Sequence, residues 1–222
     1  MKYLITVFAL VLATMTFAQK DVTKFLGIPV DGTKAEMMQK LKAKGFTYKN
    51  VLGNEFLEGE FNGNQVRVYV ITNNNKVCRI MICDDNEVDE SAIKIRFNKL
   101  VSQFENNKRY VTMGSYTIPD NEDISYNMSV ESKRYEAAYY QKTDTLVLQN
   151  QIREELLTKY TKEQMENPTE ELAREMLSEM LKIGYEIFRK KVVWFMISER
   201  YGKYSITMYY DNEYNRANGD DL

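Results

Sequence analysis

The chain has 222 residues, 44% of them hydrophobic, with 30 Lys and Arg against 32 Asp and Glu and a formal net charge of −2. No basic excess exists to neutralise a phosphate backbone, which argues against general nucleic-acid binding. The absence of histidine rules out Ser-His-Asp and Cys-His catalysis and every His-based zinc site.

Residues 1–18 read as a secretory signal peptide: Met1-Lys2, an apolar run from Tyr3 to Phe17, then small Thr16 and Ala18 before a cleavage point after Ala18. Gln19 stands where lipid attachment would need Cys, and no later stretch reaches the roughly 20 apolar residues of a membrane span. The expectation is an exported protein, periplasmic or extracellular, with no stable membrane insertion after cleavage.

Residues 19–88 form a first helix-plus-meander unit. Phe25 to Val30 is a short extended lead, and Thr33 with Glu36 makes a capping box that opens a helix ending at Gly45. Phe46–Asn50, Glu55–Phe61, Gln65–Ile71 and Val77–Cys83 read as strands, with Asn62-Gly63 and Asn73-Asn74-Asn75 as turns. Cys78 and Cys83 lie in one strand, about 16 Å apart along extended chain and on opposite faces. That is too far for the roughly 7 Å that a disulfide spans. Two free thiols are expected, with Cys78 buried beside Ile80 and Ile82.

Residues 89–222 form a second unit. Asp89-Glu90 opens a helix whose Ile93, Phe97, Leu100, Val101 and Phe104 recur at three and four positions. Tyr110–Met113 is a short strand. Ile124, Tyr126, Met128 and Val130 alternate with polar residues as in a half-buried strand, with a hairpin partner at Arg134–Gln141. From about 144 to 191 the period turns helical, with Leu148, Ile152, Leu156 and Tyr160 on one stripe. Asn167-Pro168 caps a second helix carrying Leu172, Met176, Met180, Ile183 and Ile187. This segment is read as a helical insertion. The strands Val192–Ser198 and Lys203–Tyr210 follow, then a polar tail.

A shift of 126 positions lays Ile71 on Ile197, Thr72 on Ser198, Ile80 on Ile206 and Asp85-Asn86 on Asp211-Asn212. The fold class expected is therefore α+β: an antiparallel sheet from two helix-plus-meander units related by a worn tandem duplication, with the helical insertion in the second.

No Walker loop, GxGxxG, GxSxG or CxxC occurs. The acidic clusters, Asp84-Asp85-Asn86-Glu87 with Asp89-Glu90 and Asp211-Asn212-Glu213 with Asp220-Asp221, lack the glycine and final glutamate of a calcium loop. No catalytic residue, cofactor or metal site is assigned. Tyrosine, by contrast, gathers at the hairpins. Tyr139, Tyr140, Tyr201, Tyr209 and Tyr210 are the candidate protein-binding residues, with one of each adjacent pair expected to leave the core side.

Gly27-Ile28-Pro29-Val30-Asp31-Gly32-Thr33 leading into Lys40-Leu41-Lys42-Ala43-Lys44-Gly45-Phe46, with Tyr209-Tyr210-Asp211-Asn212 near Ala217 to Leu222, resembles an uncharacterised family of exported bacterial proteins. At fold level, helix then meander is similar to beta-lactamase-inhibitor-protein-like domains and to small outer-membrane-assembly lipoproteins. That resemblance implies action through protein contacts. The expected function is a secreted, non-catalytic, inhibitor-like or envelope-associated protein whose partner is another envelope or secreted protein. The alternative is a glycan-binding module or a carboxylate-based hydrolase.

Overall fold

The structure, a computed structural model, describes residues 21–217; the expected signal peptide and the end of the polar tail lie outside the described residues. The chain divides into a sheet unit, Val22–Gln141 with Lys190 onward, and a helical unit containing Lys142–Arg189.

The sheet unit opens with a small hairpin, β1 (Lys24–Phe25) and β2 (Ile28–Pro29), followed by helix α1 (Lys34–Ala43). The Thr33–Glu36 capping box that starts α1 is formed in both directions. Strands β3 (Thr47–Val51), β4 (Asn54–Phe61), β5 (Asn64–Asn73) and β6 (Lys76–Asp84) make a meander. Helix α2 (Glu90–Glu105), capped by Asp89, leads to β7 (Tyr110–Thr112), the short helix α3 (Ile124–Ser129) and β8 (Glu136–Gln141). After the helical unit come β9 (Val192–Arg200) and β10 (Lys203–Asp211).

The other eight strands form one antiparallel sheet in the order β3-β4-β5-β6-β10-β9-β8-β7. Each helix-plus-meander unit thus lays down four strands in sequence, and their last strands, β6 and β10, meet at the centre. The seam runs from Thr207 opposite Cys83 to Asp211 opposite Arg79.

One face is buried. Val66, Val68 and Val70 of β5, Ile80 and Ile82 of β6, Val193, Phe195 and Ile197 of β9, and Ile206, Met208 and Tyr210 of β10 share a single core with Met37 and Leu41 of α1 and with the apolar stripe of α2. Each such side chain removed from water contributes about 1.5–3 kcal/mol. Under α2, Phe104 stacks on Tyr139 with ring centres 4.6 Å apart, and Phe97 meets Phe195 edge-on at 5.0 Å. Under α1, Phe25 contacts Phe46, Phe61 and Tyr210. Gly59 is required there, because a Cβ would stand 2.7 Å from the ring of Phe46.

Four details differ from the sequence reading. Ile124–Ser129 is a helix and not a strand. Asp123 caps it by accepting the Tyr126 amide at 2.8 Å, and only Ile124 is buried, so the alternation of Tyr126, Met128 and Val130 marks no sheet face. Strand β8 accordingly pairs with β7 and β9. The second long helix of the other unit is capped by Thr169, whose hydroxyl accepts the Leu172 amide, whereas Asn167 ends the short helix before it.

The remaining two differences share one cause. A β-bulge in β6 leaves Cys78 unpaired between Val77, opposite Thr72, and Arg79, opposite Ile71. Cys78 is therefore turned out of the core and only half-buried, where strict alternation would have placed it beside Ile80. The same bulge moves the equivalence of the two hairpins by one residue in β5. Ile80 and Ile206 do match, both buried, but Ile71 is 36% exposed and it is Val70 that shares the core face with Ile197.

The helical unit contains α4 (Thr145–Leu157), α5 (Lys162–Glu166) and α6 (Glu170–Arg189). Leu156, Met165 and Met176 form its core, flanked by Ile152, Tyr160, Leu172, Met180 and Ile183, which are the positions of the two helical stripes. Asp144 caps α4.

Tyr139 has 0% exposure, and its hydroxyl finds no hydrogen-bond partner among the described residues. Burial raises the pKa of this phenol, which therefore stays neutral. An unsatisfied buried hydroxyl costs about 1–3 kcal/mol. Tyr139→Phe, which keeps the ring stack, should raise the chemical-denaturation midpoint; a lowered midpoint would show that the hydroxyl is satisfied in solution.

Candidate functional site

Strand alternation sends every second residue of the sheet to the face opposite α1, α2 and α3. On that face Tyr69, Met81, Tyr209, Trp194 and Ala138 are consecutive cross-strand partners on β5, β6, β10, β9 and β8. Phe56 extends the row, its ring 5.7 Å from that of Tyr69. Arg67, Cys83, Thr207, Met196 and Glu136 form the adjacent row. None of these side chains belongs to the helix-covered core. The face thus presents a band of aromatic and methionine side chains across the middle of the sheet.

At the centre of the band, Trp194 and Tyr209 stack with ring centres 4.1 Å apart and planes inclined by 19°. The Arg79 guanidinium lies 4.7 Å from the Tyr209 ring centre and 5.7 Å from that of Trp194. Asp211 fixes both groups: its Oδ2 accepts from Arg79 Nη2 at 2.8 Å and from Trp194 Nε1 at 2.9 Å. Asp211 is 3% exposed, so this bidentate pair is held largely out of water, and the hydrogen bond to Asp211 raises the pKa of Arg79. Beside the cluster a concavity of about 450 Å³ is lined by Trp194, Ala138, Arg79 and Asp211 together with Arg134 and Glu136.

The five tyrosines singled out from the sequence separate. Tyr209 lies on the open face within the cluster, and Tyr140 shares that face by alternation. Tyr201 is 92% exposed in the β9–β10 turn. Tyr139 and Tyr210 are withdrawn from the candidate set, because they fill the core at 0% and 5% exposure and no partner can reach them. The reading missed Arg79, Trp194 and Asp211 as a group. In the sequence Asp211 stands in an acidic run and in the Asp-Asn dipeptide that closes the second hairpin, and its pairing with Arg79 exists only across the seam.

Three aspartates of the other run are also engaged. Asp84 pairs with Arg96 of α2 and accepts the Ile206 amide, Asp85 pairs with Arg67, and Asp89 caps α2. Among the described residues, no group of three or more His, Cys, Asp or Glu is placed to hold a metal ion.

Two turns add a further feature. Leu52-Gly53 and Tyr201-Gly202 both have positive φ, with Leu52 at 52° and Tyr201 at 52°. The small β1–β2 hairpin turns in the same way at Leu26-Gly27, whereas the hairpins at Asn62-Gly63 and Asn74-Asn75 place Asn at such positions. Leu52 is 99% exposed and gains nothing from the core to offset its backbone strain of about 1 kcal/mol. It borders a second concavity, of about 520 Å³, with Val51, Phe56, Arg67 and Tyr69.

The fold and this face define an α+β protein with one sheet face closed by helices and the other carrying an ordered aromatic band. No family model, no curated protein and no solved structure matches the chain.

Leu52→Asn should raise stability by about 1 kcal/mol, read as a higher denaturation midpoint, because Asn adopts the left-handed region with less strain. An unchanged or lower midpoint would show that Leu52 is held by contacts absent here. Both cysteines are free, and burial raises each thiol pKa. A raised pKa means less thiolate at pH 8, so native protein should react with iodoacetamide far more slowly than unfolded protein, and faster only as pH rises well above 9. Equal native and unfolded rates at pH 8 would contradict that burial.

Proposed function

We propose that the chain is an exported, non-catalytic binding protein whose open sheet face contacts another envelope or secreted protein. The observation that carries this reading is the transverse row Tyr69, Met81, Tyr209 and Trp194, a contiguous band of large side chains that the helices of its own unit leave uncovered. Aromatic side chains bury much area at little conformational cost and dominate protein contact sites, and the flexible methionine adapts its shape to what it meets. Leu52 and Tyr201, strained and nearly fully exposed at opposite ends of the sheet, extend the reading. Residues that cost the fold stability while projecting into solvent suit anchors that a partner buries.

The carboxylates near the band are each held by an arginine: Asp211 by Arg79, Glu136 by Arg134, and Glu213 by Arg216. That arrangement suits recognition better than proton transfer, for which a carboxylate is tuned by burial away from a cation. The resemblance to inhibitor-like and envelope-assembly domains supports the same reading, as does the signal-like N-terminal sequence.

The test is capture of a partner from the native envelope fraction by purified protein, with Tyr69→Ala and Met81→Lys as variants. Both positions are half-buried and outside the core, so each variant should keep its unfolding midpoint within a few degrees while reducing capture at least tenfold, about 1.4 kcal/mol. Full capture by Met81→Lys would remove the open face as the contact surface.

A further inference from the structure

We infer that the concavity between Trp194 and β8 is a subsite for a neutral pyranose ring, so that the protein binds an uncharged glycan at the edge of its open face. The subsite shares Trp194 with the proposed protein-contact row but needs only this corner of the sheet, so it is tested separately from protein capture.

On the β10 side, Trp194 is covered by Tyr209. On the β8 side its cross-strand partner is Ala138, whose side chain is a single methyl group, and here the concavity opens. A tryptophan supported on one side and set beside a small residue on the other leaves room over its second face, where the concavity lies. Strand β7 ends opposite Tyr139, so among the described residues no strand lies outside Glu136–Ala138; there Tyr116, from the segment after β7, adds a second aromatic ring to the lining. The indole is held rigidly, its Nε1 donating to Asp211 and Arg79 lying against the same aromatic pair. A rigid aromatic wall favours flat stacking of a ring whose C–H groups carry partial positive charge toward the π face.

The chemistry of the rim selects among ring-shaped ligands. Three arginines, Arg79, Arg134 and Arg216, are each paired to a carboxylate, Asp211, Glu136 and Glu213 respectively. The lining is charge-balanced. With no net charge the lining gives a carboxylated or phosphorylated ligand no advantage over a neutral one, and the largely buried Arg79–Asp211 pair cannot release its arginine to such a ligand without leaving a buried acid unpaired. Paired guanidinium and carboxylate groups instead offer fixed donors and acceptors side by side. Sugar hydroxyls, which donate and accept together, meet both requirements. A concavity of about 450 Å³ falls within the range of small-ligand sites.

Trp194 is the only tryptophan in the chain, so its emission reports on the concavity directly. Full-length processed protein is titrated with cellohexaose, xylohexaose, maltohexaose, mannohexaose and laminarihexaose, with hexagalacturonate as the anionic probe and a ten-residue proline-rich peptide as the polypeptide probe. The expected result is a saturable change with at least one neutral hexasaccharide, at least tenfold weaker binding of hexagalacturonate, and no response to the peptide. Ala138→Leu, which fills the space beside the indole from an only partly buried position, should abolish the response while its unfolding midpoint stays within a few degrees of the parent. Met81→Lys should retain it, which separates this subsite from the protein-contact band. The inference is overturned by no saturable change with any neutral hexasaccharide, by an equal response to hexagalacturonate, by a response to the peptide alone, or by an unaltered response in folded Ala138→Leu. If Ala138→Leu fails to fold, Trp194→Phe replaces it, read by calorimetry, with retention of full affinity as the overturning outcome.

Discussion

The structure depends on the pairing of β6 with β10. Each helix-plus-meander unit brings four strands and its own long helix. Joining the units along their last strands makes a single slab, and it aligns Ile80 and Ile82 with Met208 and Tyr210 under a shared helical layer. The pairing also builds the functional face. Arg79 comes from the first unit and Asp211 from the second, and they become neighbours only because the seam sets Arg79 opposite Asp211. A slip of one residue at the seam would reverse the faces of one whole half, so register, core and surface cluster are fixed by the same set of hydrogen bonds.

Burial is one-sided, and this explains how one alternating pattern can yield two chemically different surfaces. In β10, Tyr204, Ile206, Met208 and Tyr210 are buried, while Ser205, Thr207 and Tyr209 face the other way. A solvated face needs only polar residues to satisfy the fold. Here the middle row is Tyr69, Met81, Tyr209 and Trp194, which a purely structural requirement does not explain.

Much of this was legible in the sequence, and the limits have physical causes. The capping box at Thr33 and Glu36, the Asn62-Gly63 turn and the stripe of α2 are local signals, and local geometry satisfies them. The α+β class and the antiparallel sheet were legible from the alternating strands, and the hairpins β5–β6 and β9–β10 each carry a buried isoleucine, Ile80 and Ile206. What failed was parity. One extra residue at Cys78 shifts the match between the halves, and a bulge leaves no compositional mark. Ile124–Ser129 misled for a related reason: six residues are too few to distinguish a period of 2 from one of 3.6 when Asp123 supplies a cap. The cluster of Arg79, Trp194 and Asp211 was invisible because it spans three strands, and no local spacing encodes which strands become neighbours.

The connection between β8 and β9 has its own consequence. Tyr140 is opposite Val192, and the Gln141 amide donates to the Lys191 carbonyl, so the chain departs for the helical unit and comes back through a doorway one strand spacing wide, about 4.8 Å. Because the two ends of the intervening segment lie this close, the register of β8 against β9 does not depend on how long that segment is. The segment from Lys142 to Arg189 therefore occupies the position at which this scaffold can accept foreign cargo, in nature by recombination and in the laboratory by grafting.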